Sequence, residues 1–261
     1  MRLGLCQLTS TPDKQANLAL VGAAMATAAE RGAQIAVFPE ATMARFGTPL
    51  RPVAEPLDGP WANAVRELAV ANGVVAMVGM FTPADDGRVH NTLLVTSAHT
   101  HLGYDKIHLF DAFGFTESAT VAPGEPTVVV DLDGVRVGLA ICYDLRFPGL
   151  FTTLADQGAT VIVVPASWGG GPGKREQWEL LVRARALDST SWVLGCGQAP
   201  PDTGAETGKA PTGIGHSIVA DPFGRVHARL GEEPGILVVD VDPAMAAEAR
   251  AAIPVLANRR L

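Results

Sequence analysis

Cysteine is scarce in this chain, with Cys6, Cys142 and Cys196 the three such residues among 261. An odd set without metal-type spacing does not read as a disulfide framework or a zinc site, and without an export signal the thiols are expected to stay reduced. Positive charge is also thin: 20 Lys and Arg stand against 27 Asp and Glu, a net −7. No Lys/Arg cluster offers the concentrated basic face that phosphate backbones require, so nucleic acid is excluded as a partner. No apolar run approaches the roughly 20 residues needed to span a bilayer. Repeats of solenoid length are missing, as is low complexity beyond alanine-rich helix faces. What remains is ordinary for a soluble globular enzyme, 48% hydrophobic and 18% charged, which argues against disorder. Met1–Leu8 is apolar but short, and Thr9-Ser10-Thr11-Pro12-Asp13 follows at once, so it reads as a first strand and not a signal peptide. The expectation is one domain over residues 1–261, located in the cytoplasm.

Along the chain, strand and helix patterns alternate. Strand Leu3–Leu8 precedes a helix over Asn17–Glu30 and a strand over Ile35–Phe38; a helix over Trp61–Asn72 leads into strands Val74–Phe81 and Asn91–Thr96 around an Asp85–Arg88 turn. Strands Thr127–Asp131 and Val135–Ile141 flank an Asp133-Gly134 turn. Strand Val161–Val164, helix Gln177–Asp188, strands Trp192–Gly195, His216–Ala220 and Ile236–Val241, and a short last helix complete the pattern. This rhythm predicts an α/β fold with a mixed sheet. Two Gly/Pro-rich loops, Gly169–Lys174 and Ala199–Thr212, are placed to shape a pocket mouth.

The most informative segment is Val137–Pro148, where an apolar run delivers Cys142 into polar, turn-forming sequence. A thiol in apolar surroundings is a small inert hydrophobe, whereas one at a strand end can meet charged partners that favour thiolate. Cys6 and Cys196 lie inside apolar stretches and read as core. Two other strand-end residues can supply the charge: Glu40, closing Ile35-Ala36-Val37-Phe38-Pro39-Glu40, and Lys106, in Gly103-Tyr104-Asp105-Lys106.

Together these segments resemble the nitrilase, or carbon–nitrogen hydrolase, superfamily, whose members hydrolyse non-peptide C–N bonds with a Glu-Lys-Cys triad. The matching residues are Glu40, Lys106 and Cys142, and the likeness continues through Phe115–Ser118, Val164–Trp168, Arg183–Ala186 and Gly215–Ser217. Tyr143 stands where true nitrilases usually carry Trp after the nucleophile, so the sequence is similar to the ω-amidase and deaminated-glutathione amidase branch, and amides rank ahead of nitriles. The resemblance implies a four-layer αββα sandwich with two central sheets, no cofactor or metal, a small amide as substrate and a homodimer. It implies Cys142 as nucleophile through a thioester, Glu40 as general base and acid, Lys106 with the backbone N–H of Tyr143 as oxyanion stabiliser, and Glu117 as a second glutamate beside the lysine. Trp168 and Gln177 are expected at the substrate pocket, although Gln177 stands where members of this branch often have His before the helix tryptophan. Asp144 and Arg146 read as structural, paired with each other or with Arg183 and Arg185. An N-carbamoyl amidohydrolase and a non-catalytic scaffold are the competing readings.

Three apparent motifs fail. Gly169–Lys174 lacks the first glycine of a phosphate loop, at Trp168, and its Ser/Thr, at Arg175. Gly215–Val219 lacks the last glycine of a serine-hydrolase elbow. His99, His101 and His108 have no convincingly spaced fourth ligand for zinc.

Overall fold

A computed structural model describes residues 1–201 and 209–260, so part of the Ala199–Thr212 loop and the terminal Leu261 lie outside the described residues. In chain order the strands are β1 (Arg2–Gln7), β2 (Ile35–Val37), β3 (Val75–Pro83), β4 (Val89–Thr96), β5 (His101–Asp105), β6 (Asp111–Ala112), β7 (Phe115–Thr116), β8 (Val129–Leu132), β9 (Val135–Leu139), β10 (Val161–Ala166), β11 (Trp192–Gly197), β12 (Ile218–Ala220), β13 (Val226–Arg229) and β14 (Gly235–Asp240). The helices are α1 (Lys14–Glu30), α2 (Pro60–Asn72), α3 (Pro148–Asp156), α4 (Lys174–Ser189), α5 (Ala244–Ala252) and α6 (Val255–Asn258).

Two six-stranded sheets form, in the orders β14-β1-β2-β3-β4-β5 and β13-β12-β11-β10-β9-β8. Each has a parallel centre, β1-β2-β3 in one and β9-β10-β11 in the other, with antiparallel strands outside. Because side chains alternate along a strand, each sheet has two faces to bury. Leu3, Leu5, Ile35, Val37 and Met77 join the cluster that holds the second sheet, while Cys6, Ala36, Phe38, Ala76 and Val78 join the cluster of α1 and α2. On the second sheet, a Cβ at Gly138 would meet Leu154 of α3, and one at Gly195 would meet Trp178 and Val182 of α4. The result is the αββα sandwich that the resemblance implies, helices outside and sheets packed face to face.

Local signals explain the helix ends. Asp13 caps α1 by accepting from the N–H groups of Gln15 and Ala16, and Asn17, Val21, Ala24, Met25 and Ala28 form its buried stripe. Pro60 opens α2, and left-handed Gly73 closes it. Helix α3 differs from the sequence expectation, which had no helix there. Its Pro148-Gly149 start reads as loop punctuation, yet Pro148 sits at the first helical position, where its missing N–H costs nothing, and Leu150, Phe151 and Leu154 are buried. Helix α4 begins three residues earlier than the apolar period suggested, at Lys174.

Candidate active site

The loops at the C-terminal ends of parallel strands β2, β9 and β10 converge, as ligand sites in open α/β sheets do. Beyond β2 the chain turns through Pro39 and Glu40, and Ala41 adopts a left-handed φ of 56°. Gly79 of β3 lies directly against this turn: a Cβ there would sit 2.6 Å from the Pro39 carbonyl and 2.8 Å from the Glu40 Cα. A glycine inside a strand marks such a close backbone approach. Beyond β9, Cys142 opens a short 3-10 turn, Cys142–Arg146, with φ at 45°.

Asp144 fastens this elbow. Its Oδ2 accepts from the Tyr104 hydroxyl at 2.7 Å and the Ile141 N–H at 2.9 Å, and its Oδ1 accepts from the His108 N–H at 3.0 Å. Four bonds, counting the contact of Oδ1 with His108 Nδ1 at 2.7 Å, hold a fully buried carboxylate and tie the cysteine turn to the segment carrying Lys106. The ion pairs expected of Asp144 and Arg146 do not form, because Asp144 is already saturated. Arg183 Nε donates to the Gly224 carbonyl, Arg185 pairs with Asp188, and Arg146 donates to Gln177 Oε1 at 2.7 Å.

Glu40, Lys106 and Glu117 are each 1% exposed, with both carboxylates bonded to the lysine. Lys106 Nζ donates to Glu40 Oε1 at 2.9 Å and to both Glu117 oxygens, at 2.8 and 3.1 Å. Asn91, on β4, was not foreseen. Its Nδ2 bridges Glu40 Oε1 at 2.8 Å and Glu117 Oε1 at 3.0 Å. The Ser167 N–H donates to Glu40 Oε2 at 2.7 Å, and the Phe110 N–H donates to Glu117 Oε2 at 2.6 Å. Both carboxylates are therefore solvated by the protein in place of water.

Burial acts to strip the Lys106 ammonium of its proton, but the charges of Glu117 and Glu40 outweigh it and hold the pKa well above the ordinary lysine value. Burial, then the charge of Glu40, pushes the Cys142 thiol well above its ordinary value, with Lys106 pulling the other way and a hydrogen bond to Glu40 adding to the rise. These causes favour the protonated thiol of Cys142 over the thiolate that a strand-end position suggests. Cys6, raised to about 12, and Cys196 are also pushed up by burial, with no comparable carboxylate at hand.

Glu40, Lys106, Glu117, Cys142, Tyr143 and Trp168 all line one pocket of about 350 Å³, open at its mouth. Gln177 does not line it; it reaches the site only through Arg146, which does. The Arg146 guanidinium lies 5.0 Å from the Trp168 ring and 5.9 Å from that of Tyr143, and forms no ion pair with a carboxylate among the described residues. Trp168 is fixed by an Nε1 bond to the Lys174 carbonyl at 2.9 Å. His101 bonds to Thr96 and Leu57, and His108 stacks on Phe147 at 3.7 Å, so the three histidines serve separate local contacts or, for His99, lie exposed.

A buried Glu-Lys-Cys set at strand ends of an αββα sandwich defines a thiol-dependent hydrolase of the nitrilase type. Residues 2–251 match the carbon–nitrogen hydrolase family, and the chain belongs to it. The hydrolase Rv0480c of Mycobacterium tuberculosis is 56% identical over 99% of this chain and 95% of its own length. The deaminated glutathione amidase of Escherichia coli O157:H7 is 35% identical, covering 98% of this chain and 95% of its own. Among solved structures, a glutamate-to-glutamine variant of the amidase from Nesterenkonia sp. AN1, bearing an acrylamide adduct on its active-site cysteine, superposes with a TM-score of 0.81 at 28% identity, over 97% of this chain and 98% of that one. The protein is accordingly a carbon–nitrogen hydrolase of the amidase type, and its Glu-Lys-Cys set is consistent with that family.

Proposed function

We propose that the 261 residues act as one catalytic domain that hydrolyses the terminal amide of a small carboxylic acid through a thioester on Cys142. Amides resist attack because the carbonyl is weakly electrophilic and the amine leaves poorly. In this reading the Cys142 thiol gives its proton to Glu40 as sulfur bonds to the carbonyl carbon. Lys106 and the N–H of Tyr143, the second residue of a 3-10 turn and so without an intrahelical acceptor, stabilise the oxyanion. Glu40 then protonates the departing nitrogen, ammonia leaves, and the thioester remains. Water that surrenders a proton to Glu40 attacks this ester, and the thiol recovers the proton as the acid departs. Glu117 and Asn91 keep Lys106 and Glu40 in register throughout.

The observation that carries the choice of an ω-amide acid is Arg146, a guanidinium lining the same pocket as Cys142 with no carboxylate partner among the described residues. A substrate carboxylate completes it. An ammonia-release screen over ω-amides of dicarboxylic acids, neutral amides, N-carbamoyl compounds and nitriles tests this. The ω-amide acids turn over fastest; turnover of carbamoyl compounds without ω-amides overturns the reading.

The same reading includes a homodimer. Leu180 and Leu187, one face of α4, are 63% and 45% exposed, and Ile253 near the C-terminus is half exposed. Such apolar residues on an outer helix layer suit a second copy of the chain. Sedimentation equilibrium is expected to give twice the 27.2 kDa of one chain; a mass of one chain at micromolar concentration removes the dimer. No helix among the described residues is long and apolar enough to cross a membrane.

A further inference from the structure

The catalytic pocket does not end at its own mouth. A second cavity, of about 660 Å³, shares Phe110, Gly169, Lys174 and Pro211 with it and continues outward along the β6–β7 hairpin. Among the described residues its charged lining is Lys174 and Lys209, both positive, and neither forms an ion pair there. Phe110, Phe113 and Phe115 supply an apolar wall. In a chain of net charge −7, three cations on one path away from Cys142 are a local reversal of the overall field. They are graded along it: Arg146 lines the inner pocket alone, Lys174 lines both cavities, and Lys209 lines the outer one alone.

We propose that Lys174 and Lys209 form a second anion subsite, which holds the distal carboxylate of ω-amide acids too long for their charge to rest on Arg146. The inference rests on the amide-hydrolase reading above and names a longer substrate class for the same site. Two further observations support it. Lys174 Nζ is parked 3.4 Å from the centre of the Phe113 ring, so that a cation with no carboxylate partner among the described residues takes an aromatic face instead. Phe113 itself is 73% exposed and left-handed at φ 55°, an unfavourable state for a large side chain, and this conformation presents its ring at the cavity. Burial and the nearby Arg146 charge also lower the Lys174 pKa, a repulsion that an anion between them relieves. The methylene chain of such a substrate would lie along the phenylalanine wall, between the scissile carbonyl at Cys142 and the two ammonium groups.

The test uses two matched pairs: succinamic acid with butyramide, and suberamic acid with octanamide. In each pair the ratio of kcat/KM for the acid to that for the neutral amide is compared across variants. The wild-type enzyme is expected to prefer suberamic acid over octanamide by about tenfold or more, the effect of a charge-assisted contact. The K174Q/K209Q protein brings that ratio near one while retaining the preference for succinamic acid, R146Q does the reverse, and K174R/K209R restores the long-chain preference. The Trp168 contact uses the Lys174 backbone carbonyl and survives these side-chain changes. A wild-type ratio near one for the long pair, or an undiminished ratio in K174Q/K209Q, overturns the subsite. An enzyme that hydrolyses none of the four amides defeats the ω-amide reading instead. The subsite is then decided by calorimetry of suberate on the Cys142→Ala protein, where binding weakened about tenfold by K174Q/K209Q supports it and equal binding overturns it.

Discussion

Alanine at Cys142 lowers amide turnover by about 10⁵-fold, the scale seen when a covalent nucleophile is removed, and leaves the protein folded. The large effect on rate follows from the proposed chemistry, in which Glu40 then has no thiol to deprotonate and Lys106 has no tetrahedral intermediate to stabilise. The small effect on folding follows from position. Cys142 contributes one sulfur to the wall of an open pocket, and the turn that carries it is held by Asp144 through Tyr104, Ile141 and His108, bonds that do not involve the sulfur. Burial raises the pKa of all three cysteines, so pKa alone does not single out the nucleophile. What distinguishes Cys142 is the Glu40 carboxylate in the same pocket. Intact-mass measurement during turnover therefore finds an acyl adduct of wild-type protein that maps to Cys142 and disappears in the variant. An adduct on Cys6 or Cys196, or a variant within tenfold of wild-type activity, removes the proposed nucleophile.

The residues legible in the sequence share a physical signature. Glu40, Lys106 and Cys142 each follow an apolar or strand-like run, so each stands where a buried strand meets a loop, and such points gather at one end of parallel sheets. Glu117 lacks that signature, since it opens a 3-10 turn after the two-residue strand β7, and only the family resemblance indicated it. Asn91 was hidden because its role is made by tertiary contact across 51 positions to Glu40 and 26 to Glu117, while its local pattern is that of an ordinary strand residue. Asp144 and Arg146, two positions apart, suggested a local pair. Their separation arises from burial: a fully buried carboxylate takes all the donors within reach, and those come from Tyr104, His108 and Ile141. The alternation of strand and helix gave the α/β class, but the division of the strands into two sheets depends on which run pairs with which, and here the second half of the chain builds a sheet of its own except for β14, which returns to β1.

Methionine at Lys106 is expected to destabilise the fold by ~3–5 kcal/mol, because removing one partner of a buried ionic cluster leaves the others uncompensated. Lys106 is the ammonium between two carboxylates that are themselves 1% exposed, and its side chain reaches both. Asn91, Ser167 and Phe110 still donate to those oxygens, yet none of them carries a positive charge. Turnover falls as well, by at least about 10²-fold, the usual effect of losing an oxyanion donor. The two losses separate in a double variant. Adding Glu117→Gln to Lys106→Met removes one of the opposed carboxylates and recovers part of the stability, while activity stays low, so the coupling between positions 106 and 117 appears in folding and not in rescue of catalysis. The pH dependence has a definite sign. Lys106 is held above the ordinary value of 10.5, so its stabilisation is fully present below that pH and is lost only as pH rises through the higher folded-state value. Denaturant titrations should therefore show the gap between wild type and Lys106→Met narrowing as pH rises into strong base. A gap under about 1 kcal/mol, small beside the cost of a broken buried pair, would mean that the two carboxylates do not depend on this lysine for their burial.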